Sequence, residues 1–433
     1  MLLNTTKKRM LAAVLTGLCL SGCVSTTSFD PFGRRQPAPV VTLPPPEPLP
    51  GEQQSQAMIP PIEENTGSVL IPLPPGDGQT GLPPFGAAGS AGTVRVSLLL
   101  PLRSQALARA ATAVRDGFMA AHAADRRNIV VDVAETGDNP QEILSAYDAA
   151  SAGADIVVGP LSRSGVTALV QTSAVRKPTI SLAQPDIPPG ANIAASGDIL
   201  MAALSVEDEA RQIADRIAAE NARAKVFALS TLTAWQRRAA KAFVTQADAN
   251  GLQAENVEIN LVSGFLDGAG LAELRKQIRA ENPAMIFVAL DFDQTRQLRA
   301  AIGMDVPLFG TSQLNPRAMA DWAMAEPLHF MNGTQLLDIP WQLQADHTAV
   351  KAYPRPAANP DLRRSADIER LYAVGIDAYR IASSLASRNT QFEIDGVTGR
   401  LRVDYGMQPP SFQRKMTPAI YRDGVVVPQA GAR

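Results

Sequence analysis

From Val94 to Phe309 the chain alternates short apolar runs with stretches whose apolar residues recur every three or four positions, and few architectures accept that pattern. The run Val94, Val96, Leu98, Leu99, Leu100 stops at Pro101, which has no backbone N–H to continue a ladder. Leu107, Ala110, Ala111, Val114 and Phe118 then mark an amphipathic helix returning over that strand. The same reading gives strands over Ile129 to Glu135, Asp155 to Gly159 and Thr179 to Leu182, with helices over Gln141 to Ala152 and Ser164 to Val175. Ser205-Val206-Glu207-Asp208 has the form of a capping box and predicts a helix to Glu220. The cycle then repeats, with strands over Lys225 to Ser230, Gln253 to Leu261, Ala284 to Leu290 and Val306 to Phe309, and helices over Thr233 to Asn250, Gly270 to Glu281 and Gln294 to Ile302. Strands alternating with helices of this length predict an α/β protein of doubly wound, mostly parallel sheets. Two such blocks in tandem predict two lobes with a cleft between them. Open α/β sheets present ligands outside the carboxyl ends of their strands, which singles out Leu102 to Ala106 as the first place to look for a site. Further on, Asp367 to Ser387 predicts a long helix with a core face of Ile368, Leu371, Tyr372, Gly375, Ile376, Tyr379, Ala382 and Leu385. Asp395-Gly396 and Asp423-Gly424, each flanked by strand-like residues, predict tight hairpin turns, so the chain ends in antiparallel β.

Before Val94 the sequence is of another kind. Lys7, Lys8 and Arg9 precede an apolar run from Met10 to Leu20 that is too short to span a bilayer, the form of a secretory signal peptide. Leu20-Ser21-Gly22-Cys23 resembles the lipobox of bacterial lipoproteins, which implies that residues 1–22 are removed and that Cys23 becomes a lipidated amino terminus. Several acyl chains on Cys23 would anchor the protein stably. By analogy with enteric sorting, Val24 in place of Asp after the cysteine implies the outer membrane, periplasmic face. Cys19 lies in the removed segment, so no intramolecular disulfide can form in the mature chain. Residues 23–92 hold fifteen of the 34 prolines and read as a disordered Pro-rich tether, reaching between about 50 Å as a coil and about 200 Å fully extended. The formal net charge of -2 gives no clustered basic excess of the kind nucleic-acid binders carry, so no nucleic-acid partner is expected.

Several blocks carry a family resemblance. The LLLPL strand end, the Gly159-Pro160-Leu161-Ser162 turn and the hairpin from Phe392 through Gly396-Val397-Thr398-Gly399-Arg400-Leu401 to Asp404-Tyr405-Gly406 resemble type I periplasmic binding proteins. Val158-Gly159-Pro160-Leu161, Leu204 to Ala210, Gly310 to Asn315, Asp338-Ile339-Pro340-Trp341 and Leu371 to Arg380 are similar to the carboxyl-terminal domain of the LpoA family, lipoprotein activators of penicillin-binding proteins. That likeness covers about Val94 to Pro428 and implies a two-lobed fold with a hinge of three crossings. Residues 93–204 plus about 334–388 would form the first lobe, and residues 205–333 plus about 389–428 the second, with the antiparallel hairpin near it. It also implies a class A penicillin-binding protein as partner, activated across the periplasm without catalysis by the lipoprotein. Enteric members carry an amino-terminal helical-repeat domain where this sequence has only the Pro-rich stretch.

The residues themselves point away from an enzyme. The three histidines, His122, His329 and His347, are not paired at metal-ligand spacing, and no metal or cofactor is expected. Gly268-Ala269-Gly270 is read as a turn rather than a nucleotide fingerprint, and Ser162-Arg163-Ser164-Gly165 lacks the spacing of a nucleophile elbow. A lipid-anchored solute receptor for an amino acid or amide-like ligand is the alternative to the activator. Its candidate cleft set is Arg103, Ser104, Ser162, Ser164, Ser181 and Gln184 from the first lobe and Thr231, Trp235, Asp291, Ser312 and Gln313 from the second. Ser and Thr at such junctions are also what helix capping alone requires. Arg103 stands at the mouth where solute receptors of this fold have small polar residues, and this favours the activator.

Overall fold

The computed structural model describes residues 92–429 apart from 126, 188–197, 319, 320, 322–325, 357–364 and 408. They fall within one unit, Met58–Arg433. The expected signal peptide, Cys23 and the Pro-rich stretch to residue 91 lie outside the described residues.

Five parallel strands, β1 (Val94–Leu100), β2 (Ile129–Glu135), β3 (Ile156–Val158), β4 (Thr179–Ser181) and β5 (Ile199–Met201), form the first sheet in the order β2-β1-β3-β4-β5. Helices α1 (Ala108–Ala124), α2 (Pro140–Gly153) and α3 (Arg163–Gln171) connect the first four. Leu98, Leu99 and Leu100, like Ile156, Val157 and Val158, are fully buried. Strands covered on both faces have no polar side to alternate with, which is why these read as unbroken apolar runs.

The second lobe opens with α4 (Val206–Glu220) and continues through β6 (Lys225–Ser230), α5 (Ala234–Ala249), β7 (Gln253–Glu258), a small hairpin of β8 (Leu261–Val262) and β9 (Phe265–Leu266), α6 (Gly268–Glu281), β10 (Met285–Val288), α7 (Phe292–Ile302), β11 (Leu308–Gly310) and β12 (Gln335–Asp338). Its parallel strands stand in the order β7-β6-β10-β11-β12, the same winding as the first sheet. Gly268-Ala269-Gly270 is the first turn of α6, capped by Asp267, rather than a free turn.

Two single helical turns, Pro340–Leu343 and Thr348–Lys351, follow β12, and the long helix α8 (Ala366–Ala386) then packs against α1. A Cβ on Gly375 would lie 2.1 Å from the Val114 carbonyl oxygen, and one on Gly117 would lie 1.9 Å from that of Tyr372. Only glycine lets the two helix backbones touch at these points. Strands β13 (Gln391–Asp395), β14 (Arg400–Asp404) and β15 (Ser411–Lys415) make a separate antiparallel sheet. Strands β16 (Thr417–Arg422) and β17 (Val425–Pro428) extend the second sheet, β16 antiparallel to β12 and β17 antiparallel to β16.

The expected lobe division is corrected at the carboxyl end. Gln335–Asp338, assigned by resemblance to the first lobe, is a strand of the second sheet between β11 and β16, with Leu336 in that lobe's apolar core. Residues 391–415, assigned to the second lobe, dock on the first: the Tyr405 hydroxyl donates to the Asp198 carbonyl at 2.5 Å, and Leu401, Val403 and Tyr405 join the core that holds α1 and α8. Asp423-Gly424 is a two-residue turn with φ of 52° and 77°, the left-handed pair such hairpins need. Asp395-Gly396 instead opens a longer loop closed by the Gly396 N–H on the Gly399 carbonyl at 2.9 Å. The Asp377 carboxylate of α8 fixes it, accepting from Val397 N at 3.2 Å and from Thr398 N and Oγ1 at 2.7 Å each.

Candidate functional site

The chain passes between the lobes three times, between β5 and α4, between β12 and α8, and between β15 and β16. All eleven candidate cleft residues lie at or just beyond the carboxyl ends of parallel strands. After β1, the Arg103 guanidinium pairs with the Glu142 carboxylate of α2, which also accepts the Gly137 N–H at 2.9 Å, so the pair ties the loop after β1 to the loop after β2. Ser104 is buried and accepts the Leu107 N–H at 2.8 Å. After β3, Ser162 caps α3 by accepting the Gly165 N–H at 3.2 Å, and the exposed Ser164 places its hydroxyl 3.5 Å from that of Ser162. Ser181 donates to the Ala183 carbonyl at 2.5 Å, and Gln184 is buried beside it. In the second lobe Thr231 donates to Gln236 Oε1 at 2.6 Å, and Trp235 is buried in the first turn of α5. Asp291 caps α7 in a full capping box with Gln294, and burial pushes its carboxyl up. Ser312 is buried, and Gln313 beside it is half-buried. The polar groups at the facing ends of the lobes are largely engaged in starting helices and closing loops.

Beneath them, at the lobe junction, lies a cluster that the candidate set touched only at Ser312. Arg370, at the start of the second turn of α8 and 1% exposed, meets Asp338 at the end of β12 in a bidentate pair, Nε to Oδ1 at 3.0 Å and Nη2 to Oδ2 at 2.7 Å. Its Nη1 donates to Asp367 at 2.7 Å, and Nη2 also reaches the carbonyls of Ser312 and Asn315 at 2.9 Å each. Asp338 accepts two further bonds, from Asn315 Nδ2 and from the Ile339 N–H, both at 2.8 Å. Burial works against the Arg370 charge, but the Asp338 carboxylate outweighs it and holds the guanidinium protonated. Glu209 of α4, also 1% exposed, accepts the Ser312 N–H at 2.6 Å and its hydroxyl at 3.0 Å. Burial pushes the Glu209 carboxyl up to about 8, with the neighbouring Asp338 charge adding to the rise and the Ser312 bonds and Arg370 opposing it.

Each of the three passages is pinned by a polar side chain from another element. Arg370 and Asp338 hold the second. Arg414 of β15 holds the first, donating to the carbonyls of Ala203 and, at 3.1 Å, Ala202, and to Thr398 Oγ1 at 3.1 Å. Gln212 of α4 holds the third, accepting the Met416 N–H at 3.0 Å. The sequence did carry a signal for the junction: Glu209, Ser312, Asn315 and Asp338 all fall inside the resemblance blocks, and Arg370 stands one residue before the last. Among the described residues no group of three or more His, Cys, Asp or Glu could hold a metal ion, and no helix is long and apolar enough to cross a membrane.

Residues 90–424 match the family described as "LppC putative lipoprotein". A structure from Chromobacterium violaceum described as "a putative branched-chain amino acid ABC transporter" is 34% identical, with a TM-score of 0.59, covering 76% of this chain and 99% of its own. The C-domain of LpoA (YraM) from Haemophilus influenzae, described as a regulator of PBP1A, is 20% identical with a TM-score of 0.60, covering 78% of this chain and 100% of its own. Full-length LpoA from the same organism is 21% identical with a TM-score of 0.60, and the match covers 78% of this chain but 59% of that one. No curated protein matches the chain. The lobes therefore have the type I periplasmic-binding-protein-like fold.

Proposed function

Because the chain belongs to the LppC lipoprotein family, we propose that it is an envelope-anchored lipoprotein that regulates a class A penicillin-binding protein by protein contact, activating peptidoglycan synthesis without catalysing a step itself. Cys23 would carry the lipid in the outer membrane, and the Pro-rich stretch would let the lobes reach a synthase across the periplasm. One observation carries the choice of contact over ligand capture: the candidate cleft hydroxyls and Asp291 are bonded within the chain, as Ser104 is to Leu107, Ser162 to Gly165, Thr231 to Gln236 and Ser312 to Glu209. A solute site needs polar groups that converge on a ligand. The relative described as a regulator of PBP1A supports this reading through its shared fold. The Chromobacterium violaceum structure, at 34% identity, favours a second reading as a lipid-anchored receptor for an amino acid.

Two measurements separate them. Purified lipoprotein added to a purified class A penicillin-binding protein should raise its rate of glycan polymerisation and crosslink to it. Thermal unfolding with leucine, isoleucine or valine should show no shift. A ligand at a hundred times its dissociation constant would add about 2.7 kcal/mol to stability, so a clear rise in Tm with one of these amino acids, and no effect on the synthase, would establish the receptor instead.

A further inference from the structure

We propose that the hairpin of β8 and β9 is a docking finger of the second lobe, whose tip residues Val262 and Phe265 enter a groove on the synthase. That groove is apolar in its floor and basic at its rim. The assignment rests on the regulatory reading above and names the part of the chain that makes the contact. Leu261 opposes Leu266 across the hairpin, and Val262 opposes Phe265; directly opposed residues of an antiparallel pair share a face. Leu261 and Leu266 turn one face onto the apolar core of the second lobe. A ribbon covered on one side ordinarily has polar residues on the other. Here the other side carries Val262, 58% exposed, and Phe265, 62% exposed. Leu232, 56% exposed, lies just past β6, whose end meets that of β7 where the Ile259 N–H donates to the Ser230 carbonyl at 2.9 Å. Large exposed apolar side chains thus stand at one end of neighbouring strands.

The tip is held out in a fixed geometry. Ser263 and Gly264, with φ of 51° and 81°, form the two-residue left-handed turn that suits a tight hairpin. At the base, the Leu266 N–H donates to Gln297 Oε1 of α7 at 2.8 Å, the Asp267 N–H donates to the Asn260 carbonyl at 2.9 Å, and the Asp267 side chain caps α6. An aromatic anchor already held in place loses little freedom on binding, and such residues dominate interface energies. The surrounding charge selects the occupant. From Glu258 to Leu274 the chain carries Glu258, Asp267 and Glu273 and no Lys or Arg, and Arg237 of α5 is already paired with Glu258 at 3.3 Å. Apolar elements that enter a lipid surface are flanked by Lys and Arg that meet anionic headgroups, and this segment supplies none. A second copy docked tip to tip would oppose like carboxylates and bury only a few hundred Å², against the roughly 1,200 Å² of a stable interface. A protein groove that encloses the knob and sets bases beside Glu258 and Asp267 meets both the apolar tip and its acidic flanks. The hairpin follows β7, the end strand of its sheet, with β6, β10 and β11 between it and β12, so changes at the tip leave the lobe junction untouched.

The test uses the full-length lipoprotein in detergent micelles with a purified class A penicillin-binding protein. It compares the natural chain with a Val262→Ser, Phe265→Ser double variant and with Met304→Ser, a control at an exposed residue of the same lobe outside the hairpin. The double variant should bind the synthase about tenfold or more weakly and activate it correspondingly less at limiting concentration, with Tm unchanged. The control should match the natural chain. If the natural chain binds and activates and the double variant does so equally well, the finger is overturned and the regulatory reading stands. If the natural chain neither binds nor activates, both fall. Sedimentation that shows the natural chain self-associating through Val262 and Phe265 also overturns the proposal, since the occupant would then be a second copy. So does binding of the full-length Cys23→Ser chain to phosphatidylglycerol vesicles that the double variant abolishes, since the tip would then serve a lipid surface.

Discussion

The rim of the cleft and the junction beneath it use the same kinds of side chain in opposite ways. At the rim the partners are local: Ser162 with Gly165, Ser181 with Ala183, Thr231 with Gln236, Asp291 with Gln294. At the junction they are distant, 32 residues apart for Arg370 and Asp338, 103 for Glu209 and Ser312, and 211 for Arg414 and Ala203. A local bond starts a helix; a distant one ties together stretches of chain that meet only where the passages between the lobes run. The buried charges of Arg370 and Asp338 thus hold a passage between the lobes, while the hydroxyls of Ser162, Ser181 and Thr231 at the rim are bonded to their own loops. That distribution suits a scaffold recognised from outside better than a trap that closes on a ligand.

The largest test is Arg370→Met. It leaves Asp338 buried with only Asn315 and the Ile339 N–H, and removing one partner of a buried pair costs about 3–5 kcal/mol. Urea unfolding should show that loss, while the double variant Arg370→Met, Asp338→Leu should recover a substantial part of it. A loss no greater than that of a rim serine would erase the difference between the two regions.

Glu209 gives the next effect, and its sign is fixed. Its carboxyl rises from 4.5 to about 8 on folding, so between those values the native state holds a proton that the unfolded state has lost. Stability from this group is complete below pH 4.5 and is lost as pH rises through about 8. The Tm should therefore fall between pH 5 and pH 9, and Glu209→Gln should flatten that slope. A slope that survives the substitution would place the titration elsewhere.

The same division explains what could be read from the sequence. β1, β2 and β6 have the limits the sequence suggested because six or seven residues suffice to show a pattern and Pro101 marks a stop. β5 has three residues, too few for any period, and was not foreseen. β12 was seen as part of a motif, but nothing in Gln-Leu-Leu-Asp says which sheet it joins; pairing with β11 and β16 decides that. The long helix was legible from its apolar face, yet Asp377 on it, which holds the loop at Val397 and Thr398, looked like any polar helix residue. Capping serines are legible because their partners are three residues away. Arg370 was not, because its partners come from three separate stretches of chain.

Ser162→Ala should cost about 1 kcal/mol, the ordinary worth of an N-cap, and should leave any contact with a synthase intact. If activation of the synthase fell with it while stability changed little, the loop after β3 would be part of the contact surface rather than only a helix start.

Arg103→Ala should have the smallest effect on stability. Both side chains of its pair with Glu142 are open to water, at 59% and 38% exposure, and screened pairs of this kind contribute at most about 1 kcal/mol. Glu142 keeps the Gly137 N–H, so no buried group is stranded. Measured in the glycan polymerisation assay, the variant decides what Arg103 is for. Unchanged activation would make it a tie between two loops. Lost activation at unchanged Tm would make it a contact for an acidic surface on the synthase. A stability loss exceeding that of Ser162→Ala would mean that an exposed rim pair behaves like the buried junction, and the division of labour between the two regions would not hold.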